Sequence, residues 1–363
     1  MFANIFKNKT VLITGHTGFK GTWLSFWLKK LGANVIGVSK DIPSSPSHFK
    51  ESNLDEYLSD HRMNICNNED VRNLLLKNKP DFIFHLAAQA LVQESYQNPM
   101  ETIKTNALGT ASLLDALRYV KKPTVAVMIT SDKAYDNVEW VWGYRETDKL
   151  GGADPYSASK GMAEFAIRTY VESFFLNQDI KIGIARAGNV IGGGDWAKNR
   201  IVPDCIKSWA VNEIVEIRSP DATRPWQHVL EPLSGYLWLA ANLYKTDKLH
   251  GEAYNFGPIS TQDYSVSDLI NEMKKSWENV QWSDQSTIND LPKEAGLLKL
   301  NCDKALSDLN WKPTLSFEET VNLTVEWYKN FYTNKKISVS EMTNAQISTY
   351  ENLAIERGLS WSN

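Results

Sequence analysis

Cysteine is scarce in this 363-residue chain: Cys66, Cys205 and Cys302 are three, odd in number and far apart. That excludes a disulfide framework and any zinc-type ligand spacing, and fits reduced thiols in a cytoplasm with no metal. No apolar run approaches the roughly 18 residues that a membrane span needs. Excess charge of one sign is lacking too. The 39 Lys plus Arg nearly balance 43 Asp plus Glu, giving a net charge of −4. Both signs are interspersed, which argues against a broad nucleic-acid surface. The stretch Met1 to Lys7 is too short and polar to read as a signal peptide ahead of the first strand-like run. Neither internal repeats nor low-complexity linkers occur, so the length is expected to form one large α/β domain with a smaller lobe.

Aromatic residues, by contrast, are plentiful. The 13 tryptophans are expected mostly in cores, with a few available to line a ligand cleft. The most informative string is Gly15-His16-Thr17-Gly18-Phe19-Lys20-Gly21, which follows the apolar run Thr10 to Thr14 and precedes an amphipathic Thr22 to Leu31. Strand, glycine turn and helix make a phosphate cradle: the backbone can approach a pyrophosphate, and the helix N-terminus offers free N–H groups. Glycines alone are more often a structural turn; the strand–turn–helix context favours dinucleotide binding.

Further strands are expected at Asn34 to Val38, Phe82 to Leu86, Thr124 to Thr130 and Lys181 to Arg186. Helical patterns lie between them at Asn68 to Lys77, Pro99 to Tyr119 and Tyr156 to Leu176, with a long polar loop over Asp41 to Asp60. Such alternation predicts a Rossmann-type doubly wound parallel sheet covered on both faces. Residues 1–186 are expected to form it, with some later segments returning. Residues 187–335 are expected to form a smaller C-terminal substrate-binding lobe. That lobe begins with the loop Gly192 to Trp196 and includes helices at Ile201 to Val211, Ser265 to Lys275 and Phe317 to Tyr332, and a strand at Glu213 to Arg218. Residues 336–363 are a polar, periodic tail whose role is open.

Two clusters carry chemistry. Tyr156 and Lys160, four apart on a helix, share a face, and a nearby ammonium favours the phenolate, which would bring Tyr156 toward neutrality. Thr130-Ser131-Asp132-Lys133 closes a strand at the end where open α/β sheets bind ligands. A hydroxyl, a carboxyl and an ammonium there can handle several protons; the plainer alternative is that Ser131-Asp132 caps a turn.

These strings, with His85-Leu86-Ala87-Ala88-Gln89 and Arg186-Ala187-Gly188-Asn189-Val190, resemble the extended short-chain dehydrogenases/reductases acting on nucleotide-sugars. Trp142 to Glu146, Gly151 to Ser157, Gly192 to Trp196 and Thr223-Arg224-Pro225-Trp226-Gln227-His228-Val229 are similar to the 4,6-dehydratases within that family, from about residue 7 to about 330. The resemblance implies oxidation at C4, loss of water across C5 and C6, and reduction at C6. Tyr156 would take the 4-hydroxyl proton, Ser131 polarise that oxygen, Asp132 protonate the leaving hydroxyl and Lys133 take the C5 proton. Lys133 stands where dTDP-glucose dehydratases carry Glu.

Cofactor contacts are implied for the glycine turn, Ser39, Asn64, Ile65, Leu86, Ala87, Ala88, Gln89, Asn106, Thr130, Tyr156, Lys160 and Arg186. Substrate contacts are implied for Asn189, Arg200, Arg224 and His228. Ser39 stands where many NAD-binding members carry the ribose-holding acid, and Lys40 would tolerate a 2′-phosphate. NAD is favoured by resemblance, with NADP second. CDP-glucose as substrate, a homodimer through the helices Pro99 to Tyr119 and Tyr156 to Leu176, and a place in O-antigen or other surface-glycan precursor synthesis follow from resemblance alone. A 4-epimerase, or a dehydratase for another nucleotide, is the competing enzyme; a non-catalytic nucleotide-sugar sensor is the other alternative.

Overall fold

A computed structural model describes residues 1–259, 264–278, 280–285, 297–333 and 336–363. The first half alternates strands and helices: β1 (Thr10–Thr14), α1 (Phe19–Lys30), β2 (Asn34–Ser39), α2 (His48–Glu51), β3 (Ser59–Arg62), α3 (Asn68–Asn78) and β4 (Phe82–His85). After α4 (Val92–Gln97), α5 (Pro99–Ile103) runs through a π-helical turn at Lys104–Leu108 into α6 (Gly109–Leu117). Then come β5 (Thr124–Ile129), α7 (Pro155–Tyr170), a second π-helical turn at Val171–Phe175, and β6 (Ile180–Ala187).

The second half supplies β7 (Val190–Ile191), α8 (Ile201–Ala210), β8 (Val215–Ile217), β9 (Thr223–Arg224), β10 (Gln227–His228), α9 (Leu230–Lys245) and β11 (Ala253–Phe256). β12 (Tyr264–Ser265), α10 (Val266–Lys274), β13 (Trp282–Asp284), α11 (Asp303–Leu309), α12 (Phe317–Thr333) and α13 (Val339–Glu356) complete it. The main sheet has seven strands in the order β11-β6-β5-β4-β1-β2-β3, all parallel, as in a doubly wound Rossmann fold. Its inner strands are buried on both faces: all of β4 and β5, and Val11 to Thr14 of β1.

Several expectations shift. Asp41 to Asp60 is no simple loop, since it holds α2 and opens β3, whose Ser-Asp-His-Arg sequence shows no apolar run because it is a sheet edge. The first helix starts at Phe19, inside the glycine turn, three residues ahead of Thr22. Chain beyond residue 187 returns to the core: α9 packs on β5 and β6, and β11 adds the seventh strand. The expected boundary at residue 335 lies outside the described residues. Past it, α13 crosses α1, where Trp27 Nε1 donates to Glu351 Oε1 at 2.8 Å and His48 Nε2 meets Thr343 Oγ1 at 2.8 Å. Trp361, Phe2 and Tyr350 stack beneath. Nine of the 13 tryptophans are buried, five of them (Trp23, Trp27, Trp311, Trp327 and Trp361) fully, in line with the core role expected for most.

Candidate active site

The glycine turn is built for close backbone approach. Gly15 has φ of +78°, and a Cβ there would meet Ala87 N at 2.7 Å; one at Gly21 would stand 2.1 Å from the Gly15 carbonyl oxygen. α1 begins at an N-cap, Gly18, that has no side-chain cap, and no acidic residue sits in its first turn. Its first N–H groups are therefore left for an anion, and the donor set fits a dinucleotide diphosphate.

Opposite the turn, at the C-terminal end of β5, Ser131 caps a short 3-10 turn over Asp132–Ala134. Its Oγ accepts from Lys133 N at 3.2 Å and donates to Asp132 Oδ1 at 2.9 Å, so the capping alternative and the polar cluster coexist. Asp132 Oδ2 is buried with no partner among the described residues, and a Cβ on Gly188 would stand 3.1 Å from it. Burial raises the Asp132 carboxyl above its usual range, against the pull of Lys133 and Ser131. Lys133 is half-buried, and its side chain takes part in no hydrogen bond or ion pair among the described residues.

α7 is started by Asp154, whose side chain accepts from Ser157 N at 2.9 Å, with Pro155 at its first position. Tyr156 and Lys160 are both buried, with the ammonium 6.0 Å from the phenol ring centroid. Here one expectation is corrected. Burial pushes Tyr156 up to about 12, and the opposing pulls come from the Ser131 hydroxyl and Arg200, not from Lys160. Lys160 is itself lowered to about 8 by burial, opposed by Glu164.

Lys20 also belongs to this cluster. From the start of α1 its ammonium lies 6.0 Å from the Tyr236 ring centroid. Burial lowers it to about 8; Arg200 and Lys160 add to the shift and Asp132 opposes it. Its side chain therefore stands among the buried charges of the site while its backbone forms the turn. Arg200 is held by Asp195, with Nη1 to Oδ2 at 2.9 Å, in the electrostatic reach of Tyr156. Asn189 and Arg224 are half-buried on the loops that follow β6 and form β9.

Other expected contacts have their side chains occupied within the protein. His16 is bound by Ser39 Oγ at 3.0 Å and Asp60 Oδ1 at 3.0 Å, packed over Gly37, so neither His16 nor Ser39 is free for a ribose. Asn64 Oδ1 accepts from Cys66 N at 3.0 Å, and Ile65 is buried against Gly109. Gln89 closes its own loop on Leu91 and Thr102. Asn106 ties Gln89 to Ser159 on α7. Thr130 bonds Glu164 at 2.7 Å.

Arg186 needs the largest correction. Its fully buried guanidinium binds Glu164, Tyr135 and the Glu146 carbonyl, leaving no fork to face a cofactor. Burial would lower its pKa, but Glu164 and Tyr135 hold it above its ordinary value. His228 is likewise in the core, edge-on to Trp23 at 5.9 Å, and burial lowers it to about 3. His85 bonds Thr14 and Thr110, a structural role. Leu86, Ala87 and Ala88 line the loop after β4, partly exposed, with Ala87 N donating to Thr14 Oγ1 at 3.2 Å.

Sequence reasoning missed Tyr236, whose buried hydroxyl has no partner among the described residues, and Glu164, Tyr135 and Asp195. Only Glu164 carried a signal, lying one helical turn beyond Lys160.

A seven-stranded Rossmann sheet with this glycine turn and a Tyr/Lys pair on α7 defines an extended short-chain dehydrogenase/reductase. More narrowly, the chain belongs to the family whose model is described as GDP-mannose 4,6 dehydratase, which matches residues 12–324. It is 45% identical over 332 residues to the CDP-glucose 4,6-dehydratase of Salmonella typhimurium, covering 90% of this chain and 92% of that one. Among solved structures, the epimerase Mth375 of Methanothermobacter thermautotrophicus superposes with a TM-score of 0.77 at 23% identity, over 91% of this chain and 95% of that one. DesIV of Streptomyces venezuelae, a dTDP-glucose 4,6-dehydratase with NAD and TYD bound, gives 0.74 at 20% identity, over 88% and 97%. At these identities the two structures attest the fold alone.

Proposed function

We propose that the protein is an NAD-dependent CDP-glucose 4,6-dehydratase, converting CDP-D-glucose to CDP-4-dehydro-6-deoxy-D-glucose and water. The observation that carries this reading is the buried, half-partnered Asp132 carboxyl beside Lys133, on the turn that faces Tyr156 and Lys160. An epimerase needs the Tyr/Lys pair but no acid–base pair. The likeness to the Salmonella enzyme supports both the chemistry and the nucleotide.

The free N–H groups at the start of α1 would hold NAD, which would supply a hydride acceptor for C4 and a hydride donor for C6. Tyr156 takes the 4-hydroxyl proton and Ser131 donates to the same oxygen. The 4-ketone acidifies the C5 proton, which Lys133 removes while Asp132 protonates the departing 6-hydroxyl as water. Lys133, whose ammonium protons exchange with solvent, returns a proton to C5 as C6 is reduced, and the proton gained by Tyr156 passes through solvent to replace the one that Asp132 lost, so protons and electrons balance. Lys160 holds positive charge beside Tyr156 throughout.

NAD is favoured over NADP because the cations near the end of β2 are already countered. Lys40 pairs with Glu101 at 3.4 Å, and Arg62 with Asp60 at 2.7 Å. Arg224, Asn189 and Arg200 are suited to the nucleotide diphosphate and sugar. Met100, Leu108, Met162 and Phe165 are exposed on α5, its π-helical turn and α7, an apolar face that suits a homodimer. No helix among the described residues is long and apolar enough to cross a membrane. A cytoplasmic role in making deoxysugar precursors for surface polysaccharide such as O-antigen accords with this reading.

Variants at 132 and 133 test the proposal. Asp132→Asn and Lys133→Met should each slow formation of 4-keto-6-deoxy product by roughly 10²–10⁴-fold, while wild-type turnover in both would sink dehydration as written.

A further inference from the structure

The turn that carries Ser131, Asp132 and Lys133 is bounded by Thr130 and Tyr135, and both of those hydroxyls reach the same buried ion pair. Thr130 Oγ1 donates to Glu164 Oε1 at 2.7 Å. Arg186 Nε donates to that oxygen at 2.6 Å, and its Nη2 binds Glu164 Oε2. From the other end of the turn, Tyr135 Oη accepts from Arg186 Nη1 at 2.6 Å and donates to Asn255 Oδ1 at 2.8 Å. Glu164 and Arg186 are wholly buried, Tyr135 and Thr130 nearly so. Glu164 lies on α7 one helical turn past Lys160, so the pair links the acid–base turn to the helix that carries Tyr156.

We propose that the Thr130 and Tyr135 hydroxyls are positioning groups: through the Arg186–Glu164 pair they fix Asp132 and Lys133 relative to Tyr156 and Lys160. Elimination depends on them more than oxidation does. This inference rests on the dehydratase reading. Tyr156 and Lys160 have independent supports, namely the Asp154 cap and the Asn106–Ser159 bond at 2.8 Å, which neither hydroxyl touches. Asp132 and Lys133 sit on a segment that these hydroxyls tether at its two ends, with Ser131 bonding Tyr156 between them. Among groups this deeply buried such a network is cooperative and tolerates little slack, and a 1 Å misplacement of a reacting group costs roughly a hundredfold in rate.

Removing Glu164 or Arg186 would strand a buried charge and endanger folding, so the test uses single hydroxyl deletions. Thr130→Val and Tyr135→Phe are assayed by single-turnover stopped flow, following reduced nicotinamide and 4-keto-6-deoxy product separately, with CDP-glucose and NAD. Each variant should slow product formation about tenfold, part of the hundredfold that full misplacement costs. Reduced nicotinamide should accumulate transiently, because oxidation outruns elimination. KM for CDP-glucose should stay within about twofold, uniform binding being untouched. Thr130→Ser, which keeps the hydroxyl, should restore the wild-type course. Reduced nicotinamide that never accumulates in either deletion, or product formation at the wild-type rate, overturns the inference alone. Wild-type enzyme that makes no 4-keto-6-deoxy product overturns the dehydratase reading and this inference with it.

Discussion

The Ser131 hydroxyl donates to Oδ1 of Asp132 at 2.9 Å, while Oδ2 of the same carboxyl is buried without a partner among the described residues. A carboxyl so placed favours its protonated form, because burial penalises the charge more than one hydroxyl relieves it. An acid that must give up a proton works in that form. Turnover should therefore fall as pH rises through the raised pKa of Asp132, and Asp132→Asn should cost roughly 10²–10⁴-fold in kcat, the usual worth of a general acid. A pH–rate profile of both proteins checks this.

The same shift has a stability sign. A pKa raised above 3.8 in the folded state means that folding favours the proton. Stability from this group is full below 3.8 and is lost as pH rises through the folded value. Asp132→Asn should thus melt higher than wild type at neutral pH while losing activity. Calorimetry of the two proteins at acid and neutral pH reads the difference, which should shrink toward acid.

Lys160 titrates in the opposite sense. Burial lowers it to about 8, and its ammonium is the charge that the proposed mechanism keeps beside the Tyr156 ring. Activity should fall as pH climbs past about 8, and Lys160→Arg, which stays charged, should move that limb upward. The kcat profile of the variant is the check, whatever its absolute rate.

Gly21→Ala should damage the cofactor cradle. Its Cβ would stand 2.1 Å from the Gly15 carbonyl oxygen and 2.7 Å from the His16 Cα, both backbone atoms that cannot swing aside. Overpacking of this kind costs about 1–3 kcal/mol. Calorimetric titration with NAD should show weakened binding, accompanied by a lower melting temperature.

At the C-terminus, Glu351→Ala should destabilise the fold without touching the site. It strips Trp27 Nε1 of its acceptor and Lys30 of its ion pair, leaving Lys30 only its bond to Ser348 Oγ among the described residues. An unsatisfied buried donor costs about 1–3 kcal/mol. Denaturant unfolding should move by that much while KM for CDP-glucose stays put.

The parts of the fold that the sequence made legible are those where one local rule decides the outcome. β1, the glycine turn and α1 follow from an apolar run, conformational freedom at Gly15 and the residues after it. β3 escaped notice because an edge strand of Ser-Asp-His-Arg needs no apolar residues. α9 escaped because it is buried on most sides, Tyr236 and Leu237 alike, and so shows no polar face. Tyr156, Lys160 and the 131–133 turn could be read from spacing and strand position. Arg186, Asn106 and His228 could not be placed, because only tertiary packing decides whether a buried polar group turns toward a ligand or toward a neighbour such as Glu164. Glu164 itself is known by what it touches, Thr130 on β5's trailing end and Arg186 on β6.

The most direct test of the account is the product itself. Purified enzyme with NAD in deuterated water is given CDP-glucose, with dTDP-, UDP- and GDP-glucose in parallel, and the products are read by NMR. The account predicts a 4-keto-6-deoxy sugar from CDP-glucose alone, carrying deuterium at C5. Unchanged or C4-epimerised CDP-glucose would contradict it.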